Sequence, residues 1–269
     1  MTIKKPISIH WFRQDLRLSD NPALSAAIES GDTLPIYILD DINSSDNKMG
    51  EASRWWLHHS LSSLNKKLDG KISFYNGDPK NVFSTLSEQY DVKSIYWNRC
   101  YEPWRIKRDK DLKKDLKGKN IHIETHNGSL LWEPWTVLKN DGTPYRVFSP
   151  YYKRGCLEAL APREPIQEPS LFNTIPNSFD SSSLDDLDLL PNVGWYKEME
   201  NLWSPGEDGA KEKLHAFLDF GLKGYKEGRN FPSKKNVSQL SPHIHFGEVS
   251  PNQVWYGAQL KEGEIAIDK

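Results

Sequence analysis

Cysteine is nearly absent: Cys100 and Cys156 are the only two, far apart in the chain. That excludes a disulfide framework and a thiolate zinc site, and it suits a reducing cytoplasm. Long apolar runs are missing too; no stretch approaches the ~18 uninterrupted apolar residues of a membrane span. In the N-terminal MTIKKPISIHWFRQDLRL, Arg13, Asp15 and Arg17 interrupt any apolar signal-peptide core. The expectation is a soluble, cytoplasmic protein. Neither sign of charge dominates: 35 Lys plus Arg against 37 Asp plus Glu leave a net −2, which excludes a histone-like or acidic-tail protein. No GxGxxG follows the first strand, where Phe12-Arg13-Gln14-Asp15 stands instead, and no Walker A lysine motif or GxSxG elbow occurs. Metal-ligand spacing is lacking as well. His243-Ile244-His245 would set two imidazoles on one side of a strand, but no third ligand follows, and His58 and His59 cannot share a helix face. No metal site is expected.

What the chain does have is core-forming stock. Of 269 residues, 37% are hydrophobic and 12% aromatic, ten of them Trp, enough for one large domain or two ordinary ones. Charge is uneven along it. Residues 161–200 hold eight acids and two bases, Arg99 to Asn120 nine bases and four acids, and Lys223 to Lys235 five bases and one acid. Basic segments beside an acidic connector are compatible with a polyanion partner; a solvated helix face is the plainer account of Arg99 to Asn120.

The first 125 residues alternate strand and helix signals. Strands are predicted over Ile7 to Phe12, Leu34 to Leu39, Ile72 to Tyr75, Ser94 to Trp97 and Ile121 to Ile123. Between them stand helices opened by Ser19-Asp20-Asn21-Pro22 and by Asp78-Pro79, a long one from Glu51 to Leu68, and a basic one over 104–117. This predicts an α/β fold, a Rossmann-like domain with a five-stranded parallel sheet covered on both faces, and ligands at the carboxyl ends of its strands. Its span is about 1–130. A proline-rich, acidic connector follows over 131–205, either a wrapped loop or a disordered linker. Residues 206–269 open a helical segment with an apolar face of Leu214, Phe217, Leu218, Leu222 and Tyr225, of which Leu214, Phe217, Leu218 and Leu222 are expected to lack a partner.

Three segments together resemble the DNA photolyase and cryptochrome family. They are Trp11-Phe12-Arg13-Gln14-Asp15-Leu16-Arg17-Leu18-Ser19-Asp20-Asn21-Pro22-Ala23-Leu24, then Gly50-Glu51-Ala52-Ser53-Arg54-Trp55-Trp56-Leu57 through Leu64, then Tyr225 to Pro232 with Ser238 to Pro251. The resemblance implies FAD as cofactor. Tyr225, Val237, Ser238, Gln239, Leu240 and Ser241 match its flavin-contacting positions, and Arg229 matches the arginine that meets the DNA backbone. Val237 stands where the family has Thr, and Asn230 where it has Asp. Folate-binding members hold their antenna partly with an Asn-Glu pair at positions matched here by Trp104 and Arg105, so a folate-type antenna, a deazaflavin-type one or none all stay open. The resemblance also implies light-driven repair of cyclobutane pyrimidine dimers in DNA. A cryptochrome-type photoreceptor without repair, or a flavin-free remnant domain, are the alternatives. Lys269 falls early in the family's helical FAD domain, so the chain is expected to be truncated and inactive alone, with a complementary C-terminal fragment as a conceivable partner. No residue facing the flavin ring, and so no catalytic residue, is named.

Overall fold

The computed structural model describes residues 4–179 and 181–262. Each predicted strand forms: β1 is Pro6–Phe12, β2 Thr33–Leu39, β3 Ser73–Asn76, β4 Asp91–Asn98 and β5 His122–His126. They make one fully parallel sheet in the order β3-β2-β1-β4-β5. Helix α1 (Pro22–Glu29) starts where the Asn21 side chain accepts from the Leu24 N–H at 3.1 Å, with Pro22 preset for the first turn. Helices α2 (Glu51–Lys67), α3 (Pro79–Gln89) and α4 (Pro103–Lys117) complete the crossovers.

Strand alternation splits the core in two. Phe12, Tyr37 and Leu39 pack with Leu24 of α1 and with Trp56, Leu57, Leu61 and Leu64 of α2. Ile7, Ile9, Trp11, Leu34, Ile36 and Ile38 pack with Phe83 and Leu86 of α3 and with Leu112 and Leu116 of α4 on the opposite face. Strands β1 and β2 are buried almost throughout, which is why β2 reads as a near-continuous apolar run, while β1 buries Ser8 and His10 among its apolar residues.

The connector is a wrapped loop. Ile175 N–H donates to Thr33 O at 2.9 Å and Ser182 N–H to Phe74 O at 3.0 Å, which lays it along the sheet edge. Leu187 and Leu189 are buried against the α2 side of the core.

Beyond it come helices α5 (Glu207–Ala216), α6 (Ser241–Phe246) and α7 (Pro251–Glu262). Two expectations change here. The stripe expected to lack a partner has one: Leu214 packs with Ala210, Leu240 and Val249, with Leu218 and Val254 against them, and Leu222 is buried. It is also not one continuous helix, because a π-helical turn at Phe217–Gly221 and the left-handed Gly224 (φ 79°) interrupt it before the short turn Tyr225–Gly228. His243-Ile244-His245 lies in α6 rather than on a strand; His243 is buried and His245 exposed.

Candidate functional site

The first segment, just past β1, is a polar clamp. Arg13 N–H donates to Asp15 Oδ1 at 2.6 Å, and Asn98 Nδ2 at the end of β4 donates to Asp15 Oδ2 at 2.6 Å and to Asn21 Oδ1 at 2.7 Å. Arg17, 1% exposed, spreads its guanidinium over three carbonyls: Asp20 O at 2.7 Å, Gly128 O at 2.7 Å and Gly247 O at 2.8 Å. Glu207, opening α5, accepts from Leu18 N–H at 3.2 Å and Ser19 N–H at 3.1 Å. Burial alone would raise the Glu207 carboxyl, but Ser19, Lys211 and Lys67 outweigh it and hold it below the usual range. A second buried cluster sits beside the clamp. Glu248 accepts from Trp56 Nε1 at 2.9 Å and Gly206 N–H at 2.6 Å, and its other oxygen lies 2.5 Å from His243 Nδ1. The clamp and this cluster dock the C-terminal helices onto the α/β domain.

At the carboxyl ends of β1 and β2 lies a cavity of about 500 Å³. This is the position expected for a ligand, and it adjoins the point where the sheet order reverses between β1 and β4. Trp11 and Arg13 come from β1 and its exit, Tyr37 to Asp41 from β2, Glu102 to Arg105 and Arg108 from the start of α4, and His245 and Phe246 from α6. Its cations are stacked and paired. The Arg108 guanidinium lies 4.8 Å over Trp11 and 5.2 Å over Trp104, and it bonds Asp40 at 3.0 Å; Arg105 lies 4.6 Å over Trp104. Burial pushes the Asp109 carboxyl up, yet Arg13 and Arg108 beside it win and hold it low. Burial raises the Tyr37 phenol, so it stays protonated and able to donate. Trp104 and Arg105, singled out from the sequence, both face this cavity.

The proposed flavin-contacting residues lie elsewhere, on the Tyr225–Gly228 turn, in the loop before α6 and at the first residue of α6. Tyr225 is half-buried edge-on against Phe217 at 5.6 Å, and Arg229 is exposed with its guanidinium 5.6 Å over the Tyr225 ring. Val237, Gln239 and Ser241 are exposed, Ser238 half-buried and Leu240 buried. Ser238 Oγ accepts from Leu240 N–H at 3.4 Å; Gln239 is left-handed (φ 56°), and its Oε1 accepts from Lys213 at 3.0 Å. Sequence reasoning missed Asn236. Its carboxamide donates to Gly221 O at 2.9 Å and Lys223 O at 3.1 Å, tying the 230–240 loop to the Tyr225 turn. It sits so close to Gly228 that an added Cβ would lie 2.2 Å from Asn236 Oδ1. The donors fit an anionic group: serine hydroxyls, backbone N–H groups and Lys234 and Lys235, with no acid between Phe231 and Ser241.

A DNA photolyase family model matches residues 8–170. The chain is 39% identical over 273 aligned residues to a deoxyribodipyrimidine photo-lyase of Agrobacterium fabrum, covering 99% of this chain and 56% of that one. It is 30% identical to cryptochrome-1 of Arabidopsis thaliana, covering 95% of this chain and 38% of that one. Among solved structures, a class III photolyase from Agrobacterium tumefaciens superposes with a TM-score of 0.88 at 36% identity, covering 99% of this chain and 56% of that one. The chain thus spans about half the length of the photo-lyase it matches. These relatives lend no support to a complementary fragment.

Proposed function

The chain belongs to the DNA photolyase family, and from that premise we propose that it serves the light-driven repair of cyclobutane pyrimidine dimers in DNA, with reduced FAD as cofactor. What supports this reading is the acid-free loop Phe231 to Ser241, tied by Asn236 to the turn that carries Tyr225 and Arg229. The chemistry that FAD supplies when bound is reversible donation of one electron on blue-light excitation. Ser238, Ser241 and the N–H groups of Val237 to Ser241 would hold its diphosphate, and Tyr225 would pack beside its tail. Val237 offers an N–H only. Arg229 would meet a DNA phosphate, where a planar fork bonds two oxygens at once. The cavity walled by Trp11, Tyr37 and Trp104 suits a planar antenna chromophore of folate or deazaflavin type, with Arg105 facing any anionic tail. A cytoplasmic location belongs to the same proposal.

Because Val237, Gln239 and Ser241 stand in solvent, these contacts alone must offset the ordering cost of binding, so little flavin should co-purify and added FAD should bind weakly. Tyr225→Ala should weaken that binding at least several-fold. Arg229→Ala should leave FAD binding intact, weaken binding to an oligonucleotide carrying one thymine dimer, and lower the salt slope of log affinity by roughly one. Absence of any saturable FAD binding, or equal affinity for damaged and undamaged DNA, refutes the reading. With FAD in excess, blue-light recovery of thymine absorbance assigns repair. Selective dimer binding without that recovery would instead favour the photoreceptor role of the cryptochrome relatives.

A further inference from the structure

Helix α4 leaves a lysine stripe in solvent. Lys107, Lys110, Lys114 and Lys117 are all exposed, and among the described residues none makes an ion pair. At about 100° per residue they fall within an arc of about 80° and run about 15 Å along the helix. Of the acids of α4, Asp109 and Asp115 are occupied, and Asp111 stands on the flank beside Lys107 and Lys114. Asp111 and Asp115 lie on one flank, Asp115 held by Lys80 at 2.6 Å, while Asp109 on the other flank is held by Arg13 at 2.6 Å and Arg108 at 2.7 Å.

On that second flank the stripe borders a pocket of about 290 Å³, separate from the cavity at the strand ends. Ile106, Lys110 and Lys113 form its α4 wall, with Tyr101, Arg99 and Trp135 opposite. Trp135 is 56% exposed and Ile106 50%, a large apolar surface to leave in water. The indole is propped in place: the Arg99 guanidinium lies 5.9 Å from its centroid and the Tyr101 ring 6.2 Å away. Two acids stand by it: Asp109, in the pocket lining, is held by Arg13 and Arg108, and Glu133 is neutralised by Arg99 at 2.7 Å and accepts from Tyr101 at 2.6 Å. A solvated lysine face would account for the stripe by itself, and Lys114 and Lys117 also suit the negative end of the helix dipole. It does not account for a buttressed, half-exposed indole beside that stripe. A row of unpaired cations next to a stacking platform is what a single nucleic-acid strand recognises, its phosphates along the row and a base on the ring.

We propose that the α4 face, Lys107 to Lys117 together with Trp135, is a binding surface for single-stranded nucleic acid, distinct from the flavin loop and from Arg229. The probe is a fluorophore-labelled, undamaged oligothymidylate of about eight nucleotides, titrated with the 269-residue chain in the dark without FAD and read by anisotropy across a salt series. Combining Lys107→Gln, Lys110→Gln, Lys114→Gln and Lys117→Gln should lower the slope of log affinity against log salt by roughly 2 to 3, at about 0.7 per phosphate on a single strand. Trp135→Ala should weaken binding roughly 5- to 100-fold, and Trp135→Phe should recover most of it. All these positions are solvent-exposed, so unchanged thermal melting verifies the fold of each variant. Loss of binding in Trp135→Ala, which no contact at Arg229 supplies, separates this surface from the proposed dimer contact. A parent-like salt slope in the lysine variant overturns the proposal. So does a lysine effect with no loss in Trp135→Ala, which would leave α4 a plain polyanion surface.

Discussion

Replacing Arg17 with Met should loosen the C-terminal helices before it touches the sheet. The guanidinium is 1% exposed and bonds three backbone carbonyls, on Asp20, Gly128 and Gly247. Arg17→Met keeps an unbranched stem of similar length and deletes only the fork. Each buried carbonyl left without its partner costs about 1–3 kcal/mol, and relief of the buried charge offsets part of the sum, so a net loss of about 3–5 kcal/mol is expected. At about 2–4 °C per kcal/mol for a domain of this size, melting should fall by roughly 6–20 °C. Location is the sharper readout. Gly247 closes α6 and Gly128 lies just after β5, while β1 and β4 keep their own ladder on both sides. Native-state hydrogen exchange should therefore accelerate over Ser241–Glu262 while the amides of β1 and β4 stay slow. A variant within about 0.5 kcal/mol of the parent in urea, or one that exchanges faster equally everywhere, would refute the clamp.

Two other perturbations follow from buried groups. Burial lowers His10 to about 4, against a weaker opposing pull from Asp15, and both its ring nitrogens lack hydrogen bonds. The unfolded chain takes up this proton near pH 6.5 and the folded chain only near 4, so the contribution is intact above 6.5 and is lost as pH falls towards 4, by about 3 kcal/mol in all. His10→Phe should flatten that part of the stability profile, and a His10 ring that titrates near 6.5 by NMR would contradict the assignment. Gly247 has φ 69°, and a Cβ there would lie 2.1 Å from Gln14 O, so Gly247→Ala should cost roughly 2–4 kcal/mol from strain and backbone overlap. Parent-like melting of that variant would show the α6 end to be free to shift.

The sheet was legible because β1 and β2, buried on both faces, are rich in apolar residues over six or seven positions, and α1 and α3 because Asn21-Pro22 and Asp78-Pro79 place a capping oxygen just before the first turn. Strand β4 begins three residues earlier than predicted, since its first turn of ladder carries the polar Asp91 and exposed Lys93. Histidines 243 and 245 misled because an alternating six-residue stretch has no period long enough to tell strand from helix. The cavity was legible only as a place, the ends of the strands. Its Trp104 and Arg105 were noted for failing to match folate ligands, not for lining it. The clamp was illegible for a different reason. Arg17 bonds carbonyls as much as 230 residues away, and a carbonyl has no side-chain signature in the sequence.

That difference bears on what the family resemblance measures. In the segment from Trp11 to Leu24 that carries much of it, Asp15, Arg17, Asp20 and Asn21 are at most 1% exposed. Asp15 and Asn21 tie the segment to Asn98 of β4, and Arg17 and Asp20 tie it to Gly128, to the connector and to the end of α6, so that segment reports assembly of the fold. The groups proposed for chemistry show the reverse pattern: Arg229, Val237, Gln239 and Ser241 are exposed and contribute little to packing. It is in this exposed stretch that Asn230 and Val237 depart from the family pattern. Fold and function are therefore written mostly in separate residues, Leu240 in the C-terminal core and half-buried Tyr225 being shared. Substitutions in the clamp should lower stability and alter ligand binding only through it, whereas substitutions at exposed Arg229 or Ser241 should alter binding at constant melting temperature, and a variant set in which the two effects always move together would show that this separation does not hold.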